Sequence, residues 1–147
     1  MLDTNGDWED VLERLYAVYK ADFIDSECSC QGFLVLRNRR ILDRDCEETF
    51  WHLTTKDQYG DRLFDPRRSE RLPWCRPIMT NCNDTRVATW KYAERKGKTR
   101  LYLWLIRLDY VIVLALRRDK LFLVTAYHVD GDSTRRNLNR KLRNREP

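Results

Sequence analysis

An α+β fold is expected for this chain: an N-terminal helix packed on a mainly antiparallel sheet of four to five strands, with a short basic C-terminal helix. Three observations favour it. Apolar residues near the N-terminus recur at helical spacing. The C-terminal half holds apolar runs separated by short turns, which is typical of a meandering antiparallel sheet. The final segment is rich in arginine, with Leu138 and Leu142 four residues apart.

The 147 residues suit one domain with one main core. We divide it into a helical and hairpin region (1–46), a sheet core that carries the candidate site (47–129), and a basic C-terminal helix and tail (130–147). The net charge of +5 favours a polyanionic partner without requiring one, and 12% aromatic residues are too many for a disordered chain. The apolar runs are too short for a membrane span, and the acidic N-terminus lacks a signal peptide's apolar centre. We therefore expect a cytoplasmic protein with no membrane partner.

The five cysteines do not show the spacing of a structural zinc site. One residue separates Cys28 from Cys30, and six separate Cys75 from Cys82. Structural zinc sites normally use pairs separated by two to four residues. We expect reduced thiols, and neither a metal nor a cofactor.

The N-terminal helix is predicted from DWEDVLERLYAVYKADF, where apolar residues from Trp8 to Tyr19 share one stripe and Asp7 is the expected cap. Residues 25–32 predict a loop. The segment FLVLRNRRIL predicts two short strands around Asn38, and TFWHLTT predicts a further strand.

The middle of the chain predicts polar turns and then short helical pieces. KDQYGDRLFDPRRSE is turn-rich, and Pro73 and Pro77 interrupt any helix in RSERLPWCRPIMTN. Beyond it, VATWKYAER and TRLYLWLI predict a hairpin around Gly97. DYVIVLAL predicts a central strand, LFLVTAYHV the last strand, and Ser133 the cap of the C-terminal helix.

A period of two along these strands collects polar side chains on one face of the sheet. In the last strand, Phe122, Val124 and Ala126 are assigned to the core, and Thr125 and Tyr127 to the opposite face. One arrangement of the strands places an imidazole, a guanidinium, hydroxyls and aromatic rings on the same open face. Its members are His52, Thr54, Arg100, Tyr102, Thr125 and Tyr127.

That set of side chains matches the needs of RNA cleavage without a metal. A base must take the 2′-OH proton, an acid must protonate the leaving 5′-oxygen, and cations must hold the phosphate as charge builds. Histidine can be base or acid near neutral pH, arginine binds phosphate through two donors, and aromatic rings stack on bases.

Four segments occur in an order that resembles a known group of nucleases. FWHLTT, RSERLPWCRPIM, a tryptophan-rich strand hairpin and LVTAY are similar to elements of phage and prophage domains of the barnase–EndoU–colicin–RelE group. These are metal-independent endoribonucleases and often toxins. The resemblance covers roughly residues 47–129 and implies N-terminal helices packed on a four- or five-stranded antiparallel sheet whose open face holds the active site.

The resemblance also implies roles for individual residues. Catalytic roles fall on His52, Arg71, Arg76, Thr125 and Tyr127. The strand pattern, the resemblance and the basic tail suggest that the substrate-binding residues are Thr54, Trp74, Arg100, Tyr102, His128, Arg135 and Arg136. His128 departs from the group, where a proline often follows the tyrosine. The implied reaction is cleavage of tRNA or mRNA to a 2′,3′-cyclic phosphate by a toxin-like enzyme that has a cognate inhibitor.

Two other functions fit the same residues. The chain could be a non-catalytic nucleic-acid-binding module that uses its basic tail for phosphate contacts. It could also be a phage protein that binds and inhibits a host protein, with Trp74, Trp90 and Trp104 as exposed anchors.

Overall fold

The computed structural model describes residues 1–147 and confirms the α+β fold. The α-helices are α1 (Trp8–Tyr19), α2 (Glu48–Thr54), α3 (Pro66–Glu70), α4 (Cys75–Thr80) and α5 (Gly131–Arg143). The strands are β1 (Cys28–Cys30), β2 (Phe33–Leu36), β3 (Thr55–Gln58), β4 (Asp61–Phe64), β5 (Val87–Ala93), β6 (Thr99–Leu105), β7 (Tyr110–Arg117) and β8 (Lys120–His128).

Six of the strands form the main sheet, in the order β1-β2-β8-β7-β6-β5, and β3 and β4 form a separate hairpin. Only the β2–β8 pair is parallel. The main sheet has more strands than the four to five expected, partly because the predicted loop at 25–32 contains β1. Three residues are too few for a period-two pattern to reveal such a strand.

One face of the sheet carries the main core. The apolar stripe of α1 is buried there, with Leu15 and Tyr19 fully enclosed, and α2 adds Phe50 and Leu53. Burying a large apolar side chain of this kind contributes about 1.5–3 kcal/mol. The five cysteines are buried free thiols. None of the helices is both long and apolar enough to cross a membrane.

The sequence suggested that the opposite face is open, but α5 lies over part of it. A second cluster of buried side chains forms between them: Trp90, Tyr102, Trp104, Val111, Val113, Val129 and Leu138. Two contacts hold α5 in place. The Arg135 guanidinium donates to both carboxylate oxygens of Asp109, at 2.6 and 2.7 Å, and Lys141 Nζ lies 2.7 Å from Glu94. The helix begins after Asp130, so Ser133 is not its cap.

The strand predicted for TFWHLTT is wrong, because this segment is helix α2. Aromatic and threonine residues favour strands, but here a helix buries Phe50, Leu53 and Thr54 together on one side. The Thr54 hydroxyl donates to the Phe50 carbonyl at 3.0 Å, which satisfies it inside the helix. Of the two strands predicted in FLVLRNRRIL, only β2 forms.

A β-bulge in β8 changes which side chains reach the core. Leu114 pairs with Leu123 and Val113 pairs with Thr125, so Val124 is the extra residue. As a result Leu121 and Leu123 join Ala126 in the main core, and the assignment of Phe122 and Val124 to that core is wrong. The partners of Thr125 and Tyr127 belong to the second cluster, so both residues stand on the face opposite Ala126.

Candidate functional site

The candidate site forms where α2 and α3 meet the edge of β8. Strand β2 pairs only with Leu121 and Phe122, so the remainder of this edge is free of strand partners. The end of α2 lies against this part of the edge in place of a strand. The Thr125 hydroxyl donates to the His52 carbonyl at 3.1 Å, which fixes His52 beside the last strand.

Arg68 ties these elements together from α3. This helix begins at Pro66 because the Asp65 side chain accepts the first free amides, including that of Arg68 at 3.2 Å. The Arg68 Nη1 atom donates to the carbonyls of Thr55, at 2.8 Å, and His52, at 3.2 Å, and lies 3.4 Å from the Thr125 hydroxyl. Burial lowers the pKa of Arg68, but a guanidinium stays charged at neutral pH. Arg68 is thus a fixed and partly buried cation, and its Nε atom lies 3.4 Å from the Asp65 carboxylate, which balances part of its charge.

The same guanidinium lies over the ring of Tyr127, with its central carbon 5.7 Å from the ring centroid. Burial is the main cause that raises the pKa of Tyr127 to about 12, and the charge of Arg68 acts in the opposite direction. The phenol therefore remains protonated at neutral pH and can donate a proton or a hydrogen bond.

The His52 imidazole is held neutral by its surroundings. Its Nδ1 atom lies 2.7 Å from Nη2 of Arg62 on β4. A guanidinium can only donate, so Nδ1 accepts and we assign the ring proton to Nε2. Burial, and then the charge of Arg62, lower the pKa of His52. At neutral pH the ring is thus unprotonated at Nδ1, which is the state that a general base needs.

Two cavities meet at His52, which lines both. The first, of about 460 Å³, we call the aromatic groove; among its lining residues are Trp8, Arg44, Glu48, Trp51, Arg62 and Phe64. The second, of about 420 Å³, we call the arginine groove; among its lining residues are Arg37, Arg39, Thr49, Arg117 and Phe122. Both volumes fall in the range of small-molecule sites. Neither Arg39 nor Arg117 forms an ion pair, and the Arg117 guanidinium lies over the Phe122 ring, 4.9 Å from its centroid.

Of the catalytic residues expected from the sequence, His52 lines both grooves, and Thr125 contacts it through the His52 backbone carbonyl. Tyr127 packs against the second cluster beside Arg68 and lines neither groove. Arg71 and Arg76 do not join them. Arg71 stacks on Trp74, with its guanidinium carbon 5.2 Å from the ring, and donates to the Arg67 carbonyl at 2.9 Å.

The Arg76 guanidinium is occupied by structural hydrogen bonds and is not available to bind phosphate. It donates to the carbonyls of Asp22 and Glu27, each at 2.6 Å, and so joins α4 to the chain after α1. The expected pair of phosphate clamps is therefore absent from the neighbourhood of His52.

Three expected substrate-binding residues lie outside the grooves. Thr54 is buried within α2, and Tyr102 is buried under α5 with its hydroxyl bonded to Glu94 and Lys141. Arg100 stands on the same sheet face as Tyr102, two strands from β8, which is about 10 Å at the usual strand spacing.

The other four candidates are also placed elsewhere. His128 has Nδ1 2.9 Å from Asp130 and lines neither groove. Arg135 is paired with Asp109, while Arg136 is exposed on α5. Trp74 packs edge-on against Tyr110 at 5.7 Å.

The tryptophans proposed as exposed anchors for a host protein are not exposed. Trp90 and Trp104 are 3% and 2% exposed in the second cluster. Trp74 is only partly exposed and is covered on one side by Arg71. This removes the surface on which the host-inhibitor hypothesis depended.

The sequence reasoning missed Arg62 and Arg68, which the structure places on His52. A usable signal for Arg62 was the dipeptide Tyr59-Gly60, since a two-residue turn ending in glycine is typical of a hairpin. Both turn residues do have positive φ angles, 53° and 86°, and β3 and β4 pair around them. The segment had been taken as an irregular loop because its strands are polar and exposed.

No protein-family model, curated protein or solved structure matches this chain. The functional evidence in hand is therefore the chemistry around His52. It comprises a neutral imidazole, an exposed guanidinium on the hairpin, a fixed guanidinium on α3, and a protonated phenol on β8. Guanidinium groups bind phosphate, and an imidazole or a phenol can exchange protons.

Proposed function

We propose that the protein is a metal-independent, toxin-like endoribonuclease that cleaves tRNA or mRNA in the cytoplasm. The observation that carries this proposal is a neutral His52 imidazole where the two grooves meet, with Arg62 on its Nδ1 atom and Arg68 on its backbone carbonyl. A general base and two cations within one small volume are the minimum needed to attack a phosphodiester through its own 2′-hydroxyl.

The first step is an exchange of partners by Arg62. In the free protein Arg62 occupies Nδ1 of His52, so the base is blocked. A phosphate group is a stronger acceptor for a guanidinium than a neutral imidazole nitrogen is. Binding of the scissile phosphate therefore draws Arg62 away and frees Nδ1. It also places negative charge near the ring, which raises its affinity for a proton.

In the second step the His52 Nδ1 atom accepts the 2′-hydroxyl proton as the 2′-oxygen attacks phosphorus. The bond from phosphorus to the 5′-oxygen breaks, and the leaving oxygen takes the proton of the Tyr127 phenol. An alkoxide is a far stronger base than the Tyr127 phenolate, because the phenol has a pKa of about 12. The proton transfer from the phenol to the leaving oxygen is therefore favourable. The products are a 2′,3′-cyclic phosphate and a 5′-hydroxyl, and solvent then returns His52 and Tyr127 to their starting states.

Arg68 supports this reaction from a fixed position. Its contacts with the His52 carbonyl and the Thr125 hydroxyl hold the base and the last strand in register. Its charge over the Tyr127 ring stabilises the phenolate that forms when the proton leaves.

The test is incubation of the purified protein with total RNA in EDTA. We expect cleavage by the wild type, loss of at least a hundredfold in His52→Gln, and retained cleavage in His128→Gln, the matched change at the other histidine. No cleavage by a folded wild type, or equal cleavage by His52→Gln, would refute the proposal.

A non-catalytic nucleic-acid-binding module remains a second candidate because of one observation. The outer side of α5 and the tail carry exposed arginines without ion pairs: Arg136, Arg140, Arg143 and Arg145. If binding is the function, alanine at these positions should weaken RNA affinity and flatten its salt dependence, while His52→Gln should change neither.

A protein inhibitor is the partner that a toxin-like nuclease needs in its own cell. The uncompensated charge around His52 belongs to Arg39, Arg62 and Arg117. We therefore expect such an inhibitor to present acidic side chains to the two grooves and to compete with RNA there.

A further inference from the structure

We propose that the aromatic groove binds one unpaired nucleobase next to the scissile phosphate, so that single-stranded RNA is the substrate. This rests on the proposed nuclease function, because His52 defines which phosphate is cut. The inference concerns what lies beside that phosphate.

The groove has the composition of a base-stacking site. Three partly exposed aromatic side chains line it, namely Trp8, Trp51 and Phe64. Trp8 and Phe64 meet edge to face, with centroids 4.9 Å apart and an interplanar angle of 69°. Their edge contact leaves ring surface available to a third planar group.

The charges around the rings suit a nucleotide rather than an apolar ligand. Arg62 lines the groove without an ion-pair partner. Arg44 also lines it but is paired with Glu9 at 2.5 Å, and Asp43 adds a carboxylate. One carboxylate oxygen of Glu48 accepts from the Asn38 side-chain amide, and the other can accept from an N–H group of a base. Rings for the base, cations for the phosphate and acceptors for base edges are the three contacts that single-stranded RNA recognition uses.

The position of His52 sets the order of these contacts along the RNA. Because His52 lines both cavities, a base in the aromatic groove has its phosphate at the imidazole, and the next phosphate faces Arg39 and Arg117 of the arginine groove. A base that stacks on Trp8 cannot remain paired, because its ring must leave the duplex stack first. The two grooves thus select an unpaired strand.

The experiment measures binding separately from cleavage. A fluorescein-labelled 2′-O-methyl hexanucleotide has no free 2′-hydroxyl and cannot be cut, and its affinity is read by fluorescence anisotropy for the single strand and for the same strand in a duplex. We expect the single strand to bind at least tenfold more tightly than the duplex. Trp8→Leu should weaken single-strand binding roughly tenfold, while Trp8→Phe, which keeps a ring, should retain most of it.

Tyr59→Ala is the matched control. Tyr59 is 97% exposed at the tip of the β3–β4 hairpin and does not line the groove, so its loss should leave affinity unchanged. Circular dichroism melting of each variant separates lost stacking from lost folding, and Trp8→Phe provides a folded comparison if Trp8→Leu is unstable.

The outcomes separate the groove from the nuclease. Equal binding of duplex and single strand, no binding of either, or unchanged affinity in a folded Trp8→Leu would overturn the base-binding groove even if RNA is cleaved. Tight, Trp8-dependent binding of the single strand without cleavage of ordinary RNA would keep the groove and remove the proposed reaction.

Discussion

The protonation of His52 depends on burial and on neighbouring charges, of which Arg62 has the largest effect. Arg62 lies on an exposed two-stranded hairpin and contacts the imidazole nitrogen directly. Burial is the larger cause of the lowered pKa of His52, and Arg62 is the next. The charge of Arg62 is therefore the part of this shift that one substitution can remove.

We expect Arg62→Gln to raise the pKa of His52 in the free protein, because it removes the adjacent positive charge while keeping a polar side chain. The measurement is an NMR pH titration of the imidazole Cε1–H signals. The signal of His128, which contacts Asp130 instead, is the internal reference. An unchanged or lower pKa of His52 would show that Arg62 does not contact the ring in solution.

Helix α2 is an element that the sequence pattern predicted wrongly, as a strand. TFWHLTT has strand propensity throughout, yet it forms a helix because α1 and β8 offer a place to bury Phe50 and Leu53 together. The hairpins and the central strand were predictable because their turns and apolar runs are local signals. The bulge at Val124 and the docking of Arg68 on β8 are tertiary contacts, and no local pattern encodes them.

The junction between α2 and β8 depends on the hydroxyl of Thr125. Thr125→Val keeps the side-chain shape but removes the donor to the His52 carbonyl and the acceptor for Arg68. We expect a loss of about 1–2 kcal/mol in the free energy of unfolding in urea, and a fall in RNA cleavage.

Thr89→Val is the matched control for this prediction. The Thr89 hydroxyl also donates to a carbonyl, that of Cys82 at 3.0 Å, but on β5 away from the site. We expect Thr89→Val to lower the free energy of unfolding by a similar amount and to leave RNA cleavage unchanged. If both variants lose cleavage equally, the Thr125 effect is one of general stability and not of position.

The molecule uses its two sheet faces differently. The main core fills one face, and α5 closes part of the other through Leu138 and the contact between Lys141 and Glu94. The proposed site therefore lies at the β8 edge, where β2 pairs only with Leu121 and Phe122 and α2 and α3 complete the wall. A period-two reading located Thr125 and Tyr127 on the correct face but could not show that α5 covers Tyr102 on that face.

The Lys141–Glu94 contact should make part of the stability depend on pH. Burial would raise the pKa of Glu94, but hydrogen bonds from Lys141 and Tyr102 outweigh it, so the pKa is lowered in the folded protein. The resulting stability is present above the unfolded pKa of about 4.3 and is lost as pH falls through the lower folded value.

We therefore expect Lys141→Met to cost about 1 kcal/mol of unfolding free energy at pH 7, a modest figure because Glu94 is partly exposed to solvent. The cost should be smaller at pH 3, below the unfolded pKa, because the stability that Glu94 contributes decreases as the pH falls. Urea unfolding at the two pH values measures it. A cost that stays constant or grows towards pH 3 would mean that α5 is held by its apolar contacts alone.

The most direct test of a metal-independent nuclease is the mass spectrum of fragments from one oligoribonucleotide incubated with the protein in EDTA. We predict fragments that end in a 2′,3′-cyclic phosphate paired with fragments that begin with a 5′-hydroxyl, and no cut where the 2′-hydroxyl is replaced by hydrogen. Fragments with a 3′-hydroxyl and a 5′-phosphate, cleavage at the deoxy position, or an uncut oligonucleotide would contradict the proposed role of His52.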